Sequence, residues 1–87
     1  MKLKYNLKRA GLYVYFDGEL DDCCGDCVRA ELDEVLDRYS DVRTVVFNMR
    51  DLSFMDSTGI GVLIGRYKRL RKRGITVFIE NPSFAAD

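Results

Sequence analysis

Two short apolar runs, RTVVFN (43–48) and ITVFIE (75–80), bracket a segment of helical periodicity, and no other feature of the chain constrains its fold so tightly. Each run is continuously apolar rather than alternating. Strands of that kind are covered on both faces, which is the situation of parallel strands joined by a helical crossover. The intervening helix, predicted over 57–73, sets Ile60, Leu63, Ile64, Tyr67 and Leu70 on one face. Its second half carries Arg66, Lys68, Arg69, Arg71, Lys72 and Arg73, where cations meet the negative end of the helix dipole. Gly74 follows at the position that commonly closes a helix.

The first half of the chain extends the same pattern. KLKYNLKR (2–9) alternates, with Leu3, Tyr5 and Leu7 on one face, and Ala10-Gly11 reads as a tight turn. LYVYF (12–16) is continuous, apolar and rich in strand formers, and Asp17-Gly18 ends it. Residues 22–39 read as a helix with Val28, Leu32, Val35, Leu36 and Tyr39 at helical spacing, and with Asp21 or Asp22 as its N-cap. The expected order is ββαβαβ: an α/β fold with a mixed sheet, helices packed on it, and a single domain over 1–87.

Composition removes several classes of function. Lys plus Arg and Asp plus Glu each number 14, so the net charge of zero exerts no global pull on nucleic acid or an anionic membrane. The basic cluster 66–73 reads as a solvated helix face, because no aromatic platform interleaves with it. No apolar run approaches the ~20 residues of a membrane span. The N-terminus lacks the apolar stretch of a secretion signal, so a cytoplasmic protein is expected. There is no histidine, phosphate loop or metal triad, which argues against an enzyme and against a cofactor.

The stretch that asks for a function is DLSFMDSTGIG (51–61). It ends a strand-like run and opens the second helix, an edge where ligand chemistry concentrates in open α/β sheets. Free amides and the positive end of the helix dipole favour an anion there. A hydroxyl at that place is suited to capping, hydrogen bonding or phosphorylation. A phosphoserine adds about −1.5 to −2 charges, tolerated by a helix N-terminus but repelled by Asp56 beside it. The surface would change sharply while the fold survived. The plainer alternative is that Ser57 or Thr58 only caps the helix, with Gly59 and Gly61 permitting close packing. Phe54 and Met55, just before the junction, are candidate apolar contacts for a partner. The aromatic residues elsewhere read mostly as core.

DLSFMDSTGIGVLIGRYKRLRKRG, with FDGELD (16–21) and VVFNMRDLSFMDS, closely resembles the signature of bacterial anti-sigma-factor antagonists, small members of the STAS domain family, and in particular their sporulation branch. The resemblance runs to about residue 84. It implies binding to an anti-sigma factor that is also a serine kinase, so that the sigma factor is released. Phosphorylation of the serine after the motif's aspartate would end that binding, and a serine phosphatase would restore it. By position the acceptor is Ser57, with Thr58 where a second serine is common. Asp21 matches the strand-to-helix aspartate near the acceptor. Asp21, Phe54, Met55, Asp56, Ser57, Thr58 and Gly59 are thus the expected partner surface, and the chain is a substrate and binding module without nucleic-acid or membrane partners.

Two segments depart from the family pattern. Family chains continue past the last strand through a helix, a strand and a closing helix, whereas this sequence ends at NPSFAAD, where the next helix would begin. Exposed apolar surface is the expected result, and with it low stability or association as a homodimer or swapped dimer. A further reading is a folded fragment that keeps the motif and lacks the partner surface. The segment CCGDC (23–27) replaces a polar stretch. Cys23, Cys24 and Cys27 allow an alternative reading as a thiol or metal module, with Asp22, Asp26 or a neighbouring chain completing a zinc site. The simpler reading is three reduced cysteines on the first turn of a helix.

Overall fold

The structure, a computed structural model, describes residues 1–9 and 11–81. The turn expected at Ala10 and the turn or helix expected from Pro82 onward lie outside the described residues. The chain runs β1 (Lys2–Lys8), β2 (Gly11–Leu20), α1 (Gly25–Arg38), β3 (Thr44–Asn48), β4 (Leu52–Met55), α2 (Ser57–Lys72) and β5 (Thr76–Glu80). The sheet order is β1-β2-β3-β5, with β4 alongside β2. β1 and β2 form an antiparallel pair; β2–β3, β3–β5 and β2–β4 are parallel, so the sheet is mixed and both crossovers are helical.

The register assigns the faces. Leu3 stands opposite Phe16 and Tyr5 opposite Val14, while Val14 pairs Phe47 and Val45 pairs Val77. These side chains share the face that the helices cover, where Leu12, Val14, Phe16, Val45 and Phe47 pack with Val28, Leu32, Val35 and Leu36 of α1 and with Val62, Leu63 and Leu70 of α2. Phe16 and Phe47 meet edge to face, 5.7 Å between ring centres, the arrangement their quadrupoles favour. The Tyr5 hydroxyl donates to Glu31 Oε2 at 2.7 Å and ties β1 to α1. Burial and that hydrogen bond push the phenol's pKa far upward. No helix of the described residues is long and apolar enough to cross a membrane.

α2 ends as its sequence predicts. Gly74 has φ +78°, a conformation that costs glycine least. Its amide donates to Arg71 O and that of Ile75 to Leu70 O, both at 3.0 Å, which completes a Schellman motif.

Several expectations are corrected. β2 does not stop at Phe16; it continues through Gly18 to Leu20, with a register shift between Gly18 and Glu19. Its first part pairs β3 and its last part pairs β4, a strand absent from the ββαβαβ reading. α1 begins at Gly25 rather than at residue 22, and neither Asp21 nor Asp22 caps it; the capping position is Cys24, with no side-chain bond. Ile60, Ile64 and Tyr67 of α2 are exposed, because the helix turns Gly59, Val62, Leu63, Arg66 and Leu70 inward instead. β5 is mostly exposed beyond Ile75, and among the described aromatic residues only Phe16 and Phe47 are fully buried.

Candidate functional site

The carboxyl ends of β2 and β4 lie side by side, Leu20 opposite Met55, and both helices start from this corner. Asp56 holds it together. Its Oδ1 accepts from the Gly59 amide at 3.0 Å as the N-cap of α2. Its Oδ2 accepts from the Asp22 amide at 3.2 Å, and its own amide donates to Leu20 O at 3.3 Å. One aspartate therefore closes the second helix and binds it to the turn that leads into the first. Asp21 accepts from the Cys23 amide at 3.1 Å and shapes that turn.

The cap is thus Asp56, and Ser57 is released from the capping role that a serine at such a junction often takes. Ser57 is the first residue of α2 and is exposed, as is Thr58. Their amides have no intrahelical acceptor and contribute to the positive end of the dipole. Phe54 is 50% exposed beside them. Met55 is half-buried and packs against the core. Gly59 explains its own presence: a Cβ there would lie 2.3 Å from Leu20 O and 2.8 Å from Met55 Cγ, so only glycine lets α2 approach β2 this closely. Gly61 has no such neighbour.

The sequence-predicted residues Phe54, Met55, Asp56, Ser57 and Thr58 are contiguous at this corner, and Asp21 joins them through the turn that Asp56 grips; Gly59, expected on the same surface, is instead buried against Leu20. Reading the sequence missed two participants. The Asp22 backbone amide is a long-range partner of Asp56 that no local pattern discloses. Gly25 starts α1 so close to α2 that an added Cβ would stand 2.9 Å from Thr58 Cγ2; its place on a first helical turn, where glycine weakens the helix, was the available signal.

The cysteines are free; Cys23 and Cys27 are exposed, and Cys24 is half-buried with its thiol donating to Glu19 O at 3.3 Å. The ligand atoms that converge among the described residues, within 4.8 Å of one another, belong to Asp21, Asp22 and Cys23, not to the three thiols. The negative charge of Asp21, then of Asp22, pushes the Cys23 thiol up, opposite to the shift that activates a thiolate.

This strand-to-helix corner, in a mixed sheet covered by two crossover helices, is also recognised by comparison: the STAS domain model matches residues 4–86. The chain belongs to the STAS domain family. The STAS chain is 36% identical over 74 residues to an anti-sigma F factor antagonist of Paenibacillus polymyxa, an alignment covering 85% of this chain and 62% of that protein. It therefore spans about three-fifths of that relative's length. Its fold matches the anti-sigma factor antagonist SpoIIAA in its unphosphorylated form, with a TM-score of 0.75, 29% identity, and coverage of 94% of this chain and 74% of that one. It also matches the Bacillus cell fate determinant SpoIIAA in the phosphorylated form, with a TM-score of 0.74 at the same identity and coverage.

Proposed function

We propose that this STAS domain is an anti-sigma-factor antagonist whose binding is switched by phosphorylation of Ser57. Unphosphorylated, it engages an anti-sigma factor that is also a serine kinase, through Asp21, Phe54, Met55, Asp56, Ser57 and Thr58, with the buried Gly59 seating the helix beneath them, and the sigma factor is released. A serine phosphatase resets it. The process served is sporulation, the branch that the sequence motif resembles. In this reading the chain is a substrate and binding module and performs no catalysis of its own.

The observation that carries the reading is the placement of Ser57. Its hydroxyl is free of the capping duty, exposed at the first position of α2, and next to a carboxylate whose two oxygens are already committed to amides. A phosphate there meets a favourable dipole and an unfavourable neighbouring charge. The backbone keeps its Asp56 bonds while the surface beside Phe54 becomes strongly anionic. Phosphorylation would therefore change what a partner meets without unfolding the domain.

Incubation with a cognate anti-sigma kinase and ATP should add one phosphate, located at Ser57 by mass spectrometry and absent from Ser57→Ala. The kinase with ADP should bind wild type and fail to bind Ser57→Asp. Equal modification of Ser57→Ala, or equal binding of the aspartate variant, would refute the proposal.

A further inference from the structure

Between α1 and α2 lies a cavity of about 260 Å³ lined by Arg29, Thr58, Gly61, Val62 and Arg66. Arg66 is only 9% exposed. Its Nε and Nη1 are buried without a hydrogen-bond partner. Nε stands 3.0 Å from Asp33 Oδ1, but that same oxygen has Arg69 Nη1 at 2.6 Å. One carboxylate oxygen is therefore shared by two guanidiniums. Arg29, on the opposite wall, pairs with Asp26 of its own helix and remains half exposed.

Along the α1–α2 seam beside the cavity four guanidiniums (Arg29, Arg66, Arg69, Arg73) meet three carboxylates (Asp26, Asp33, Asp37), an excess of one positive charge, and Arg66 has only a share of one Asp33 oxygen. A buried guanidinium with unfilled donors is costly. A cation is repelled from such a site, and Val62 is the one apolar side chain in the lining, so an apolar ligand gains little there. The fitting occupant is an anion able to accept from both arginines at once, as a phosphate does. Thr58 brings a hydroxyl to the same wall, and the cavity has room for several waters or for one tetrahedral oxyanion.

We propose that the cavity between α1 and α2 binds a phosphate group, as the free ion or on a small phosphomonoester, with Arg29 and Arg66 as its guanidinium ligands and Thr58 as a further donor. Ser57 does not line this cavity. The site shares Thr58 with the proposed partner surface but not the proposed acceptor Ser57, and the inference does not rest on the covalent switch.

The test is a titration of the whole chain followed by NMR at constant ionic strength, with inorganic phosphate in one arm, free phosphoserine in a second and sodium chloride as control. Saturable shifts at Thr58, Gly61 and the Arg66 Nε–H are expected, with a rise in Tm. Arg29→Gln should weaken binding roughly ten- to hundredfold, the loss of one charge-assisted hydrogen-bonding group. Gly61→Leu provides a variant that still folds, since a Cβ at Gly61 meets nothing within 4 Å; its side chain fills the cavity and should abolish saturation. Tighter binding of phosphate marks a free-ion site and tighter binding of phosphoserine marks a site for a carried group; either supports the proposal. Shifts that fail to saturate, that chloride reproduces, or that survive both Arg29→Gln and Gly61→Leu would overturn it.

Discussion

Asp56 is the residue on which the corner depends, because its two carboxylate oxygens serve two elements far apart in sequence. Replacing it with alanine removes the α2 cap and releases the Asp22 amide together. A single cap is worth about 0.5–2 kcal/mol, so Asp56→Ala should lose stability toward the upper end of that range in urea denaturation. Asp56→Asn retains one carbonyl acceptor and should lose less. At this scale the sequence was informative about kind and silent about partner. An acid, two hydroxyls and a glycine at a strand-to-helix junction announce a specialised site, and Gly59 justifies its place through its approach to Leu20. That Asp56 rather than Ser57 is the cap could not be read, because both residue types cap helices equally well. The separation of the hydroxyl from the capping duty becomes visible only when the Gly59 amide is placed.

At the scale of elements, α1 and α2 are joined by a ladder of charges that the sequence presents only as a basic cluster. Asp33 meets Arg66 and Arg69, and Asp37 meets Arg73 at 2.8 Å and Arg69 at 3.7 Å. The two rungs differ in burial. Asp33→Ala strands the buried Arg66 and should cost about 3–5 kcal/mol, whereas the partly exposed Asp37–Arg73 pair should register only as a small shift in Tm. The hydrogen bond from Arg73 holds the Asp37 carboxyl below its usual range. A lowered folded-state pKa means that the contribution is complete above the unfolded carboxylate value of about 3.9 and disappears as pH falls through the lower folded one. Melting curves of wild type and Asp37→Asn should therefore converge in strong acid and separate slightly at neutral pH. Although burial on both faces holds for β3 and not for β5, whose Phe78 and Ile79 are exposed, the parallel crossovers were legible because short continuous apolar runs flank a helical period. β4 was not. It has four residues, two of them exposed, too few for a period to appear, and it is held by β2 rather than by any propensity of its own. The start of α1 was misplaced for a related reason: Asp21 is an attractive cap by composition, but its carboxylate is occupied by the turn at Cys23.

Across the whole molecule, the helical period of α2 correctly located a helix and overstated its core. Ile64, Tyr67 and Ile79 join Phe47 and Leu63 around an apolar groove of about 250 Å³, and Phe78 is exposed on the opposite face of β5. Among the described residues β5 pairs only with β3, so an open strand edge borders the groove. Apolar surface next to an unpaired edge favours association. We expect the 87-residue chain to self-associate in sedimentation experiments as concentration rises. Ile79→Lys, at a residue 53% exposed, should reduce this without lowering Tm. The dual pairing of β2 has another consequence, which concerns breathing rather than shape. Because the strand changes partner from β3 to β4 between Tyr15 and Gly18, no hydrogen bond of the β2–β3 ladder has to break when β4 detaches. The end of the sheet that carries Ser57 can open as a unit of its own, and amides of β4 and the first turn of α2 should exchange with deuterium well before those of Leu12–Tyr15. For the proposed kinase, which would have to draw a helix-bound serine into its active site, such local opening would lower the cost of access.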